Sequence, residues 1–163
     1  MTDLAPLLPA AEDLIRRCTA AGLTIATAES CTGGLIAGTP TEISGSSAVV
    51  DRGFVTYSNA AKTAMLGVPA ALIDRVGAVS QEVALAMVAG ALAQSKADLA
   101  IAVTGIAGPN GGTAEKPVGL VHFGVMRRGG PATQERMVFA GLGRAEVRLA
   151  TVAHALKLLA ATL

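Results

Sequence analysis

Residues 28–34, AESCTGG, place Ser30 beside Cys31, ahead of Thr32 and two glycines. The stretch follows an apolar run, so it falls where a predicted strand ends and a helix starts. The free N–H groups and positive dipole at a helix N-terminus favour an anion or a developing oxyanion. Gly33 allows a ligand to approach closely. Serine is also a preferred helix N-cap, so both a reactive centre and a plain helix cap fit this pattern.

A reactive serine or cysteine needs a base, and neither of the two histidines is near a turn. His122 falls inside a predicted strand and His154 inside the apolar last helix, so we expect structural roles for both. A neutral lysine can activate a serine instead, if an apolar site lowers its pKa. Lys62 has alanine, threonine and methionine neighbours, and Tyr57 lies five residues before it. A solvated lysine on a helix surface is the alternative interpretation of Lys62.

A glycine-rich loop over residues 104–119, TGIAGPNGGTAEKPVG, follows another apolar run. Ligands of open α/β sheets gather at the carboxyl ends of strands. Backbone N–H groups of this loop are therefore candidates for binding a phosphate or ribose, and an ordinary surface turn fits equally well. The candidate loop residues are Thr104, Gly105, Gly108 and Gly111.

Arg144 begins the last predicted helix, directly after Gly-x-Gly. A cation at a helix N-terminus is mildly unfavourable without an anion nearby. A guanidinium can hold a phosphate through two hydrogen bonds. Arg144 is therefore a candidate anion-binding residue, and a plain charge at the helix end is the alternative.

The composition excludes several classes of function. The 163 residues carry 13 basic and 12 acidic side chains, a net charge of +1, without a basic stripe. With few aromatic residues as well, we expect no nucleic-acid partner. The longest uncharged run, 99–114, is broken before it could span a membrane, and the N-terminus does not resemble a signal peptide, so we expect no membrane association and a cytoplasmic location. The two cysteines lack metal-ligand spacing, and we expect no metal and no disulfide.

Helical and strand patterns alternate early in the chain, and two strands joined by a hairpin come late. This predicts an α/β fold: one domain over residues 1–163, with three α/β/α layers around a mixed, mostly parallel sheet. Two helices, 83–93 and the last one, are apolar on nearly all sides, which indicates either a homo-oligomer or simple burial. The predicted helices are 7–21, 30–39, 59–66, 70–75, 81–95 with Ser80 as N-cap, and 144–162. The predicted strands are 23–28, 48–57, 98–104, 118–126 and 133–139.

The whole chain, from about residue 5 to 160, resembles the C-terminal domain family of the competence/damage-inducible protein CinA. The motifs that carry the resemblance are AESCTGG (28–34), GSSAVVDRGFVTYSNAAKTAMLGV (45–68), GAVS (77–80), TGIAGPNGG (104–112) and KPVG (116–119). Members are nicotinamide-nucleotide amidases, which convert nicotinamide mononucleotide to nicotinate mononucleotide and ammonia. Some carry a further N-terminal domain, so this chain is expected to be a stand-alone form.

The resemblance implies that Ser30 is the nucleophile and Lys62 its general base, with Tyr57 and Arg144 in the same site. It implies an acyl-enzyme mechanism without a cofactor, in which amides near Cys31 stabilise the oxyanion. Arg144 would lower the pKa of Lys62, bind the substrate phosphate, or both. Two alternatives stay open: a non-catalytic nucleotide-binding or regulatory module, and an amidase of another pyridine nucleotide amide.

Overall fold

A computed structural model describes residues 2–163, and within them five strands form one sheet with helices on both faces. The strands are β1 (Ile25–Glu29), β2 (Val50–Val55), β3 (Leu99–Gly105), β4 (Leu120–Arg127) and β5 (Ala132–Val138). The helices are α1 (Leu8–Ala21), α2 (Leu35–Thr41), α3 (Asn59–Leu66), α4 (Ala70–Val76), α5 (Gln81–Ala93) and α6 (Arg144–Ala161).

The sheet has the strand order β2-β1-β3-β4-β5. β1 pairs in parallel with both β2 and β3, whereas β3–β4 and β4–β5 are antiparallel. The predicted α/β class and mixed sheet are confirmed. In contrast to the expectation from the sequence, the sheet is not mostly parallel, because two of its four pairings, β3–β4 and β4–β5, are antiparallel.

Side chains of the central strands alternate between the two faces, as the pleat of a strand requires. Large residues such as Ile25, Ile101 and Phe123 pack in the core shared with α1 and α6. Small residues such as Ala28 and Ala102 lie on the other face, in the core shared with α5. One face of the sheet therefore carries a core of large side chains, and the other face allows α5 to pack close to the strands.

Helix α3 rests directly on α5. A Cβ atom added at Gly90 of α5 would overlap the carbonyl oxygen of Leu66 in α3. Because Gly90 has no side chain, the backbones of the two helices come into contact. This contact fixes how far α3, and every side chain on it, stands from the sheet.

The apolar helix α5 is covered within the chain, between the sheet on one side and α3 and α4 on the other. Simple burial therefore accounts for its composition. A homo-oligomer stays a prediction. Among the helices of residues 2–163, none combines the length and apolar character needed to cross a membrane.

Candidate active site

The strand order places a crevice next to β1, where successive connections leave toward opposite edges of the sheet. From β1 the chain moves to β2 on one side, and β3 later pairs on the other side of β1. Ligands of open α/β sheets bind at such a switch point, beyond the carboxyl ends of the strands. A cleft of about 260 Å³ opens here. Its lining is Ser30 and Cys31 after β1, Tyr57 after β2, residues 105–108, Asn110 and Gly111 after β3, and Arg144 of α6.

Lys62 contacts the serine of this cleft without lining the cleft itself. Its Nζ atom lies 3.1 Å from Ser30 Oγ and 2.9 Å from the carbonyl oxygen of Thr56. The lysine side chain is only 1% exposed, and burial lowers its pKa. The solvated interpretation of Lys62 is therefore wrong, and the structure brings together the serine and the lysine that the sequence singled out.

Local sequence explains how α3 presents Lys62. The Ser58 side chain accepts a hydrogen bond from the Ala61 N–H and starts the helix. Residues four apart lie on the same helix face, so Lys62 and Leu66 both point inward. Leu66 packs in the core with α5, and Lys62 is drawn in beside it. The lysine is thus buried by tertiary packing of a short amphipathic helix.

Cys31 is a poor nucleophile in this setting. Its side chain is 5% exposed, and burial raises the pKa of the thiol to about 11. A thiol with that pKa is almost entirely protonated near neutral pH, whereas the thiolate is the reactive form. Cys31 therefore forms part of the cleft wall.

The turn after β1 differs from the expectation of a helix starting near Ser30. Helix α2 begins only at Leu35, and Ser30 is not its N-cap. Pro40, expected to end the helix, lies inside it near its C-terminus.

The buried carboxylate of Glu29 occupies the N-terminus of α2 instead. It accepts hydrogen bonds from the N–H groups of Gly34, Ile36 and Ala37 at 2.8–3.0 Å. The hydroxyls of Thr27 and Thr32 donate to it as well. This end of α2 is therefore already satisfied by an internal anion, and its amides are not free to stabilise an oxyanion.

Arg148 of α6 holds the turn from the opposite side. Its guanidinium donates to the carbonyl oxygens of Cys31 and Thr32, at 3.2 and 3.0 Å. Of the turn amides, Gly33 N–H donates to Ser30 O, while those of Cys31 and Thr32 have no acceptor among residues 2–163. The two amides next to the serine are therefore the ones left unused.

Replacing Glu29 by glutamine should destabilise the protein. The NH₂ group of glutamine can only donate, and it would face the N–H and O–H donors that surround the Glu29 carboxylate. The change would also remove the negative charge that complements the α2 dipole. We expect the free energy of unfolding, measured by urea denaturation, to fall by about 2 kcal/mol, the usual cost of breaking hydrogen bonds to a buried charge. Glu12→Gln, at an exposed position of α1, is the matched control. Equal stability of the two variants would contradict this role of Glu29.

Arg144 spans the mouth of the cleft. It donates to the carbonyl oxygen of Gly108 at 2.7 Å and to the hydroxyl of Tyr57 at 2.8 Å. Tyr57 is 59% exposed, so this bridge forms the outer rim. Burial accounts for the lowered pKa of Lys62. The geometry therefore favours a ligand-binding role for Arg144 over a role in tuning the lysine.

The other predicted binding residues divide into two groups. Cys31, Gly105, Gly108 and Gly111 border the cleft. Thr32, Gly33 and Thr104 do not line it. The Thr32 hydroxyl is bonded to Glu29, the Thr104 hydroxyl donates to Ala78 O, and Gly33 faces Arg148.

Neither histidine borders the cleft. His122 is bonded to Gln134 and His154 to Glu135, at 3.1 and 2.9 Å. In the described part of the chain, no three His, Cys, Asp or Glu side chains lie close enough to hold a metal ion. The absence of a cofactor stays a prediction.

Sequence reasoning missed three residues that shape the site: Glu29, Thr56 and Arg148. Arg148 follows Arg144 by four residues, so helical spacing puts both on one face, and that signal was available. Glu29, at the end of a buried strand, was also visible as a charge in an apolar segment. Thr56 acts through its backbone carbonyl, which leaves no mark in the sequence.

Comparisons with known proteins show which family the chain belongs to. The CinA C-terminal domain model matches residues 8–163. A CinA-like protein of Colwellia psychrerythraea is 60% identical over 111 residues, 68% of this chain and 26% of that protein. The nicotinamide-nucleotide amidohydrolase PncC of Escherichia coli K12 is 46% identical over 159 residues, 98% of this chain and 95% of that protein.

A solved structure shows the same fold. The competence/damage inducible protein CihA from Agrobacterium tumefaciens superposes with a TM-score of 0.92 at 57% identity, over 94% of this chain and 93% of that one. The chain spans only 25–33% of the length of the CinA-like and competence-damage relatives it matches. It spans nearly all of the Escherichia coli amidohydrolase. With the family model covering all but the first residues, the chain belongs to the CinA C-terminal domain family.

Proposed function

We propose that this protein hydrolyses the carboxamide of nicotinamide mononucleotide, giving nicotinate mononucleotide and ammonia. The observation that carries the chemistry is the buried Lys62 amine, 3.1 Å from Ser30 Oγ at the floor of a cleft. The substrate is supported by the relative from Escherichia coli, whose name is nicotinamide-nucleotide amidohydrolase.

In the first step, the neutral Lys62 amine takes the Ser30 proton while Oγ attacks the carboxamide carbon. Because burial disfavours the charged ammonium, the pKa of Lys62 lies below its ordinary value, and its neutral form is more accessible than that of a solvated lysine. The tetrahedral oxyanion is stabilised by the unused N–H group of Cys31, which lines the cleft beside Ser30. Arg148 holds the carbonyls of that turn away from the oxyanion.

In the second step, the tetrahedral intermediate collapses and the carbon–nitrogen bond breaks. The Lys62 ammonium gives its proton to the departing nitrogen, and ammonia leaves. The nicotinoyl group of the nucleotide stays bound to Ser30 Oγ as an ester. Lys62, neutral again, then takes a proton from a water that attacks this ester. As the ester bond to Oγ breaks, Lys62 returns this proton to Ser30 Oγ, which releases nicotinate mononucleotide and restores free Ser30 and neutral Lys62.

The phosphoribosyl part of the substrate is proposed to lie toward the rim. Arg144 uses two of its five N–H donors on Gly108 and Tyr57, which leaves others for a phosphate. Amides of the 105–111 loop line the same wall. A phosphate here would also offset the cost of a cation at the N-terminus of α6. Tyr57 would hydrogen-bond the nucleotide at this rim.

A non-catalytic nucleotide-binding module is the weaker alternative. Burying a lysine amine costs stability. Nucleotide binding alone gives no reason to place that amine against Ser30 Oγ, whereas base catalysis does. An amidase of another pyridine nucleotide amide uses the same machinery and differs only in the contacts made at the rim.

The direct test is ammonia release by the purified chain. We expect release from nicotinamide mononucleotide and none from free nicotinamide, because the base alone lacks the phosphate that Arg144 would hold. Faster release from a different pyridine nucleotide amide would move the assignment to that substrate. A folded protein that binds the nucleotide without releasing ammonia would overturn the amidase in favour of the binding module.

A further inference from the structure

The Thr56 hydroxyl stands out among the buried polar groups. Thr56 is fully buried, and among the described residues its Oγ1 is the buried side-chain oxygen without a hydrogen-bond partner. The other buried threonine hydroxyls are bonded: those of Thr27, Thr32, Thr39, Thr104 and Thr151. A buried hydroxyl left unsatisfied is costly, and such groups in native proteins call for an explanation.

The same residue already binds Lys62. The Thr56 backbone is fixed by its N–H, which donates to Glu29 O at 2.8 Å, and its carbonyl oxygen accepts from Lys62 Nζ at 2.9 Å. Bond lengths keep a threonine carbonyl oxygen and Oγ1 within about 5 Å of each other. The unpartnered hydroxyl therefore lies on the residue that already binds the lysine amine, within about 8 Å of Nζ.

The hydrogen-bond needs of Lys62 change during the proposed reaction. Nζ has two partners in the structure, Ser30 Oγ and Thr56 O. A neutral amine has two N–H donors and a lone pair, whereas the protonated amine has three donors and no acceptor. With its lone pair toward the serine proton and one N–H on Thr56 O, the neutral amine has one N–H left over. After the proton transfer this leftover N–H belongs to a buried cation, and leaving it without an acceptor becomes expensive.

We propose that Thr56 is a positioning residue whose hydroxyl accepts the third hydrogen bond of Lys62 after Lys62 takes the serine proton. This inference rests on the proposed Ser30–Lys62 mechanism. The hydrogen bond from Nζ to Oγ1 is absent while the lysine is neutral. It forms in the transition state, when the amine tilts toward Oγ1, because catalytic hydrogen bonds tighten from the resting geometry. The resting protein thereby holds an unsatisfied hydroxyl whose interaction is made only during turnover.

The test is Thr56→Val, which keeps the shape and removes the hydroxyl. We expect the plateau rate of ammonia release to fall about tenfold, the typical worth of one hydrogen bond to a charged group. We expect the pKa of Lys62, titrated by NMR of labelled lysine Cε, to fall by about one unit, because the charged form loses an acceptor. Thr56→Ser, which keeps the hydroxyl, should restore both.

Stability separates this role from a merely structural one. Thr56→Val removes an unsatisfied group, so its thermal midpoint should equal or exceed that of the native chain. Thr151→Val, which removes a bonded buried hydroxyl in α6, should lower the midpoint and leave Lys62 and the rate unchanged. If Thr56→Val folds poorly, Thr56→Ala takes its place in the same titration.

The titration also keeps this inference distinct from the proposed function. The chain has three other lysines, so the Lys62 signal is assigned by replacing Lys96, Lys116 and Lys157 with arginine. A missing ammonia signal in the native chain would overturn the amidase, and the Lys62 shift in Thr56→Val would still be measured. An unchanged Lys62 pKa in Thr56→Val would overturn the role of Thr56, whatever the substrate.

Discussion

Replacing Ser30 by alanine should lower the rate of ammonia release by about 10⁴-fold or more, because no acyl-enzyme can form. Ser30 lies beside the cleft and makes few contacts that hold the fold, and the turn is fixed by Glu29 and Arg148 instead. We therefore expect the variant to fold normally and to bind nicotinamide mononucleotide, by isothermal titration calorimetry, about as well as the native chain. Binding without turnover is the signature of a lost nucleophile.

Ser47→Ala, at an exposed position between α2 and β2, is the matched control and should retain full activity. A Ser30→Ala variant with normal turnover would show that another group attacks the carboxamide. Cys31 would then be the next residue to replace, in spite of its raised pKa.

Replacing Lys62 by methionine should lower the rate by about 10²–10⁴-fold, the range supplied by a general base. Lys62→Arg should lose as much, because a guanidinium keeps its proton and cannot act as a neutral base. In the native chain, the rate should fall as the pH drops through the lowered pKa of Lys62, since the protonated amine cannot accept the serine proton. Activity of Lys62→Arg close to that of the native chain would exclude the lysine as base.

Lys62→Met should also change how stability depends on pH. The pKa of Lys62 is lower in the folded state than in the unfolded state, so the unfolded chain binds more protons between those two values. The stability of the native chain therefore rises with pH across this window, up to the ordinary lysine pKa of about 10.4. The increase in the free energy of unfolding caused by Lys62→Met should be largest at low pH and should shrink as the pH rises. Lys157→Met, at an exposed site, should show no such trend.

The residues that sequence analysis placed correctly are those whose signals are local. Helix α3 has the predicted bounds, and Ser80 caps α5 as expected, because polar caps and apolar periodicity act within a few residues. The central strands were recognised for the same reason, as short apolar runs.

The residues whose roles the residue types left open depend on contacts between distant parts of the chain. Lys62 fits a solvated helix position until α3 is packed against α5, and only that packing buries it. Ser30 fits an N-cap until Glu29 takes the amides of α2. For both residues, the family resemblance indicated the role that the residue types alone left open.

The contact between Gly90 and Leu66 has a consequence for protein engineering. Exchanging a helical glycine for alanine is a routine way to stabilise a protein, because it restricts the unfolded chain. In α5 the added methyl group would meet the Leu66 carbonyl and lift α3 outward. The lysine would move with its helix, away from the serine in the turn after β1. Gly90→Ala, made outside the cleft to raise thermostability, would thus lower the rate of the proposed reaction.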